Sequence, residues 1–84
     1  MTKLTDEQLY AIVEPEIGLK GHYCKHKASE VMYIITDVML REVDLSIEIS
    51  YRRMRKNAVT FSRPLGAFKE RFEILGHWAD EAED

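Results

Sequence analysis

The chain has 84 residues, is 45% hydrophobic and 32% charged, and carries a net charge of −3, which reads as one small globular domain (1–84) rather than a disordered segment. Its single cysteine, Cys24, excludes an internal disulfide, and its longest apolar stretch, Val31–Ile35, is too short to span a bilayer. The polar and acidic opening from Met1 to Gln8 is not the pattern of a secretory signal, so a cytoplasmic protein is expected.

Thr5 followed by Gln8 reads as a capping box, with Asp6 and Glu7 meeting the positive end of a helix dipole. Leu9, Ile12 and Val13 form a short apolar stripe that stops at Pro15, and Gly18 and Gly21 bracket a loop. From Ala28 onward, Ala28, Val31, Ile35, Val38 and Met39 share one helical face. A second stripe, Leu40, Val43, Ile47, Tyr51 and Met54, lies opposite, and Asp37–Arg41 and Glu48–Arg52 are spaced as i,i+4 pairs. This predicts a long central helix buried on two sides, as in the centre of a bundle or across an oligomer interface. The competing pattern is a period of two: Leu45, Ile47, Ile49 and Tyr51 alternate with Ser46, Glu48 and Ser50, and Asn57–Phe61 returns as the second strand of a hairpin over 44–61. Ser62 and Pro64 open a last helix whose stripe is Leu65, Phe68, Phe72, Leu75 and Trp78, followed by an acidic tail (79–84) expected to be mobile. The predicted fold class is mainly α, with a long central helix and an amphipathic C-terminal helix. The alternative is α+β with the 44–61 hairpin. The load of large apolar side chains on so short a chain adds to the expectation of a homo-oligomer.

Charge is sorted along the chain. Lys20, Lys25 and Lys27, with His22 and His26 among them, precede the apolar run; Arg52, Arg53, Arg55 and Lys56 follow it; both chain ends are acidic. Such sorting suits recognition of a partner. The basic patch is able to take phosphates, with Tyr51 or Phe61 stacking on bases, and the two clusters meeting across an oligomer would instead hold a small anionic ligand such as a nucleotide. The ordinary reading is a solvated helix end. The Leu65–Trp78 stripe is either a partner-binding face or the domain's own core.

His22, Cys24 and His26 are the residues closest to a zinc site or to a Cys–His nucleophilic pair. On a helix Cys24 points away from both histidines, three lysines disfavour a dication, and no third catalytic group is evident. No metal, no cofactor and no catalytic residue is expected.

The stretch Gly21-His22-Tyr23-Cys24-Lys25-His26-Lys27-Ala28-Ser29, leading into Val31–Glu42, resembles the small lysis-inhibition accessory proteins (rIII type) of T4-like phages. That resemblance implies a phage-encoded antiholin in the host cytoplasm that binds the soluble part of a holin and delays lysis. The expected function is therefore a non-enzymatic regulator acting by protein–protein binding. The alternative is an anion-binding module for nucleic acid or a nucleotide.

Overall fold

The computed structural model describes residues 4–79. Helix α1 (Asp6–Val13) runs into a 3₁₀ helix (Glu14–Leu19). Strands β1 (His22–His26), β2 (Met32–Leu40), β3 (Ile47–Arg53) and β4 (Thr60–Pro64) follow, then helix α2 (Leu65–Arg71) and strand β5 (Phe72–His77). The five strands form one antiparallel sheet in the order β4-β3-β2-β1-β5.

The start of the chain behaves as its residues dictate. Thr5 Oγ1 accepts from the Gln8 backbone N–H at 3.2 Å and Gln8 Oε1 accepts from the Thr5 N–H at 2.8 Å, closing the capping box. Pro15, which has no N–H to continue the α ladder, stands in the 3₁₀ helix just beyond α1.

The rest of the chain corrects the expected mainly α fold. Residues 28–54 form no helix among the described residues; they supply a turn, β2, a second turn and β3. A bulge explains the misleading period. The register of β2 against β3 shifts between Ile35 and Asp37, so the core-facing residues of β2 are Tyr33, Ile35, Val38 and Leu40. The extra residue, Thr36, stretches one step from two to three and so imitates a helical stripe. In β3 the alternation is regular: Ile47, Ile49 and Tyr51 face the core, and β4 returns antiparallel to it. This segment is a hairpin as the alternative reading has it, but with the return strand at Thr60–Pro64 and Asn57 in the turn rather than a strand over Asn57–Phe61. The two opposed faces drawn on a helix are thus strand residues of one sheet, and the oligomer interface built on them has no helix to carry it. Neither expected helical ion pair forms; Arg41 instead reaches Asp44 at 3.8 Å and Glu48 at 3.5 Å.

The predicted C-terminal helix is cut in two. Leu65–Arg71 is helical, but Phe72–His77 is a strand that pairs with β1, for example Lys25 with Glu73 and His26 with Phe72. Backbone groups of β1 left open by β2 provide hydrogen-bond partners, and these outweigh continuation of a short helix. The tail expected at 79–84 lies outside the described residues, apart from Ala79.

Chain order makes the sheet curl. β4 and β5 lie at opposite edges, yet α2 joins them directly, and a seven-residue helix spans only about 10 Å. The edges are therefore drawn toward each other. Arg63 of β4 lies 5.9 Å from the ring centre of Phe72 in β5, and Tyr51 of β3 lies 4.9 Å from it. Inside the curl Val13, Cys24, Ile35, Val38, Ile49, Tyr51, Phe68 and Phe72 form the core. Gly21 ties the end of β5 to the sheet: its N–H bonds to Ile35 O (2.9 Å), its carbonyl accepts from Trp78 N (3.0 Å), and its φ is +89°. A Cβ there would stand 2.5 Å from His77 Nε2, so only glycine lets the two segments cross.

Candidate functional site

The curl has two ends. At one, Val13 of α1 packs with Val38 while Ile17 and Leu19 of the 3₁₀ helix close over the core. The other lies at the start of β2, about 20 Å away along that strand. No helix residue among those described lines it, and it opens as a cavity of about 210 Å³. Its walls are His26 (β1), Tyr33 (β2), Tyr51 (β3), Phe61 and Arg63 (β4) and Phe72 (β5), with Ser29 from the β1–β2 turn. All five strands thus contribute a side chain to one mouth.

Aromatic rings build most of it. Tyr33 stands edge-on to Tyr51 and to Phe72 at 5.4 and 5.5 Å, and His26 edge-on to Phe72 at 5.1 Å. Phe61 tilts against Tyr51 at 5.9 Å and remains 47% exposed, a large apolar ring left facing solvent. Arg63 is the charged group of the mouth. Its Nε donates to Tyr51 Oη at 3.3 Å and its guanidinium lies over the Phe72 ring. The two Nη groups make no hydrogen bond or ion pair among the described residues. His26 Nδ1 accepts from the Ser29 N–H at 3.2 Å, which places the ring proton on Nε2.

Two further depressions share walls with the mouth. One, of about 170 Å³, has Tyr33 and Phe61 in common with it and adds Arg53, Arg55, Ala58 and Val59. The other, of about 310 Å³, shares His26 and adds Lys27, Ala28, Glu70 and Arg71. The fold therefore brings together part of each basic cluster: Lys27 from the first, Arg53 and Arg55 from the second. Sequence reasoning missed Arg63 and Arg71, which belong to neither cluster.

The remaining cations of the expected patch go elsewhere. Arg52, one residue from Arg53 on a strand, lies on the opposite sheet face in a groove with Lys20, Ile34, Thr36 and Trp78. Lys25 pairs with Glu73 at 3.9 Å, and Lys56 is exposed in the β3–β4 turn. The proposed partner-binding stripe is likewise divided. Phe68 and Phe72 are buried in the core, Leu65 and Leu75 are half-buried, and Trp78, 50% exposed, lines the groove on the other face. These five residues form no common surface.

His22, Cys24 and His26 are related by strand spacing, not helix spacing, but are used separately. His22 Nδ1 donates to Leu75 O at 2.8 Å, His26 is held by Ser29, and Cys24 is wholly buried. Among the described residues no group of three or more His, Cys, Asp or Glu side chains is placed to hold a metal ion. Burial pushes the Cys24 thiol up to about 12. The native thiol should accordingly resist Ellman's reagent near neutral pH, with a thiolate population about a thousandfold below that of a free cysteine, and react at once in urea. Rapid labelling of folded protein would contradict this placement.

No helix among the described residues is long and apolar enough to cross a membrane. Comparison with protein-family models, with curated proteins and with solved structures gives no match.

Proposed function

We propose that the chain is a non-enzymatic binding module for a nucleotide-type ligand, held at the open mouth of the curled sheet. A base ring would stack on the exposed faces of Tyr33 and Phe61, and phosphate would meet Arg63, with Arg53 and Arg55 beside it. The observation that carries this reading is Arg63: a guanidinium braced from behind by Tyr51 and Phe72, with both Nη groups unpartnered among the described residues, in a cavity walled by aromatic rings. A planar donor fixed in this way suits bidentate contact with an oxyanion, and aromatic walls suit a flat ring.

Titration with AMP and with a short single-stranded oligonucleotide tests it. Binding should weaken as salt rises, with log K falling by about 0.7 per neutralised phosphate for each decade of salt on a single strand. Arg53→Glu should cost at least about tenfold in affinity, while Lys20→Glu, the same charge change on the opposite face, should stay within about twofold. Absence of binding to both ligands at low salt, or equal loss in the two variants, would remove the proposal.

A second reading, regulation by docking on another protein, is favoured by a different observation. An apolar groove of about 420 Å³ lies between α1 and the β2–β3 turn, lined by Leu9, Tyr10, Val13, Val38, Leu40, Leu45 and the single carboxylate Glu42. Docking there would rest on hydrophobic anchors and would persist in high salt, which separates it from anion binding.

A further inference from the structure

Resting on the nucleotide reading of the mouth, we infer that its ligand is an internal stretch of single-stranded nucleic acid, with one base turned into the mouth and the backbone crossing it from one cationic depression to the other. The size of the mouth limits what it can take. At about 210 Å³ the mouth falls below the roughly 300–1,000 Å³ of cavities that enclose a drug-sized molecule, so it has room for a ring but not for a whole nucleotide. The sugar and phosphates extend beyond it, one phosphate meeting the Arg63 guanidinium in its wall on the way out.

What lies outside is cationic on two sides. The depression with Arg53 and Arg55 adjoins the mouth through Tyr33 and Phe61, and that with Lys27 and Arg71 adjoins it through His26. None of these four cations is in an ion pair among the described residues; the carboxylates that do pair, Glu16, Asp44, Glu48 and Glu73, serve other cations. Glu70 also lines the Lys27/Arg71 depression and partly offsets its charge. A free mononucleotide has phosphate on one side of its base and would leave one depression unused. A strand has a phosphate on each side and uses both. Duplex fits poorly, because its bases are paired and stacked and none is free to enter the mouth without first being extruded.

The test is a length series of 5′-phosphorylated oligothymidylates, from one to six nucleotides, titrated against the full chain by fluorescence anisotropy or NMR. Affinity should rise at least about tenfold from the mononucleotide to the trinucleotide, then rise only slowly, and a duplex of equal length should bind more weakly. Arg71→Glu should cost the trinucleotide at least fivefold more than the mononucleotide, because its depression is reached only by a neighbouring phosphate. Mononucleotide binding as tight as that of the trinucleotide would overturn the strand path and leave the mouth reading standing. Duplex binding tighter than single strand would overturn it as well. Failure of every length to bind would remove both.

Discussion

Replacing Phe68 with alanine is expected to lower the unfolding free energy by about 3–5 kcal/mol, a large share of the roughly 5–15 kcal/mol available to a small domain. Phe68 has no exposed surface. Its ring stacks on Phe72 at 4.5 Å with only 6° between the planes and meets Tyr51 at 5.4 Å. Because α2 links the two edge strands, Phe68 is the side chain that pins this bridge into the curl. Its loss would leave a cavity under a seven-residue helix that has no side-chain N-cap of its own. Urea denaturation followed by circular dichroism measures the effect. Phe68→Leu, which keeps most of the volume, should cost clearly less. A cost for Phe68→Ala below about 1 kcal/mol would show that the curl does not depend on α2.

The same bridge explains what was legible in the sequence and what was not. The capping box at Thr5 and Gln8 was readable because both partners lie within one turn. The strands were harder. Thr36 breaks the period of two in β2, and the three consecutive hairpins turn at Glu30, Leu45 and Asn57, with φ of 61°, 56° and 60°. Asparagine at such a position is an ordinary turn signal, but glutamate and leucine give none. A helical stripe therefore runs, in the sequence, straight through two turns. Phe72 misled in another way. It continues the stripe of Leu65 and Phe68, yet it belongs to a strand, because pairing with β1 decides its conformation and no local window contains that information.

The site shows a similar division. The sequence reading brings the two basic clusters together only across an oligomer, whereas within one chain Lys27, Arg53 and Arg55 already line depressions that adjoin the mouth. Strand alternation, which the sequence shows as far as Tyr51, continues through Arg52 and Arg53 and sends them to opposite faces. Arg63 stood inside Ser62-Arg63-Pro64, which the sequence reading used only as a helix start. Its role depends on Tyr51 and Phe72, twelve residues before it and nine after, and becomes visible only once β3, β4 and β5 share a core.

Arg63 is also where the largest functional effect is expected. Arg63→Ala should weaken nucleotide or oligonucleotide binding by on the order of 2–3 kcal/mol, roughly 30- to 150-fold, because charge-assisted bonds from a fixed guanidinium are lost together. Arg63→Lys keeps the charge but cannot bridge Tyr51 Oη and an oxyanion through one planar group, so it should recover only a minor part of the affinity. Tyr51→Phe keeps the ring in the core and removes only the hydroxyl that holds Arg63 Nε, which should cost about threefold to tenfold. The order wild type, Tyr51→Phe, Arg63→Lys, Arg63→Ala distinguishes a braced donor from a simple positive charge. If Arg63→Lys bound as tightly as the wild type, the mouth would be only a region of positive potential. Thermal melts of the three variants show whether the fold is kept: Arg63 is half-buried and adds one long hydrogen bond to the structure, so each should stay folded at room temperature while binding is measured.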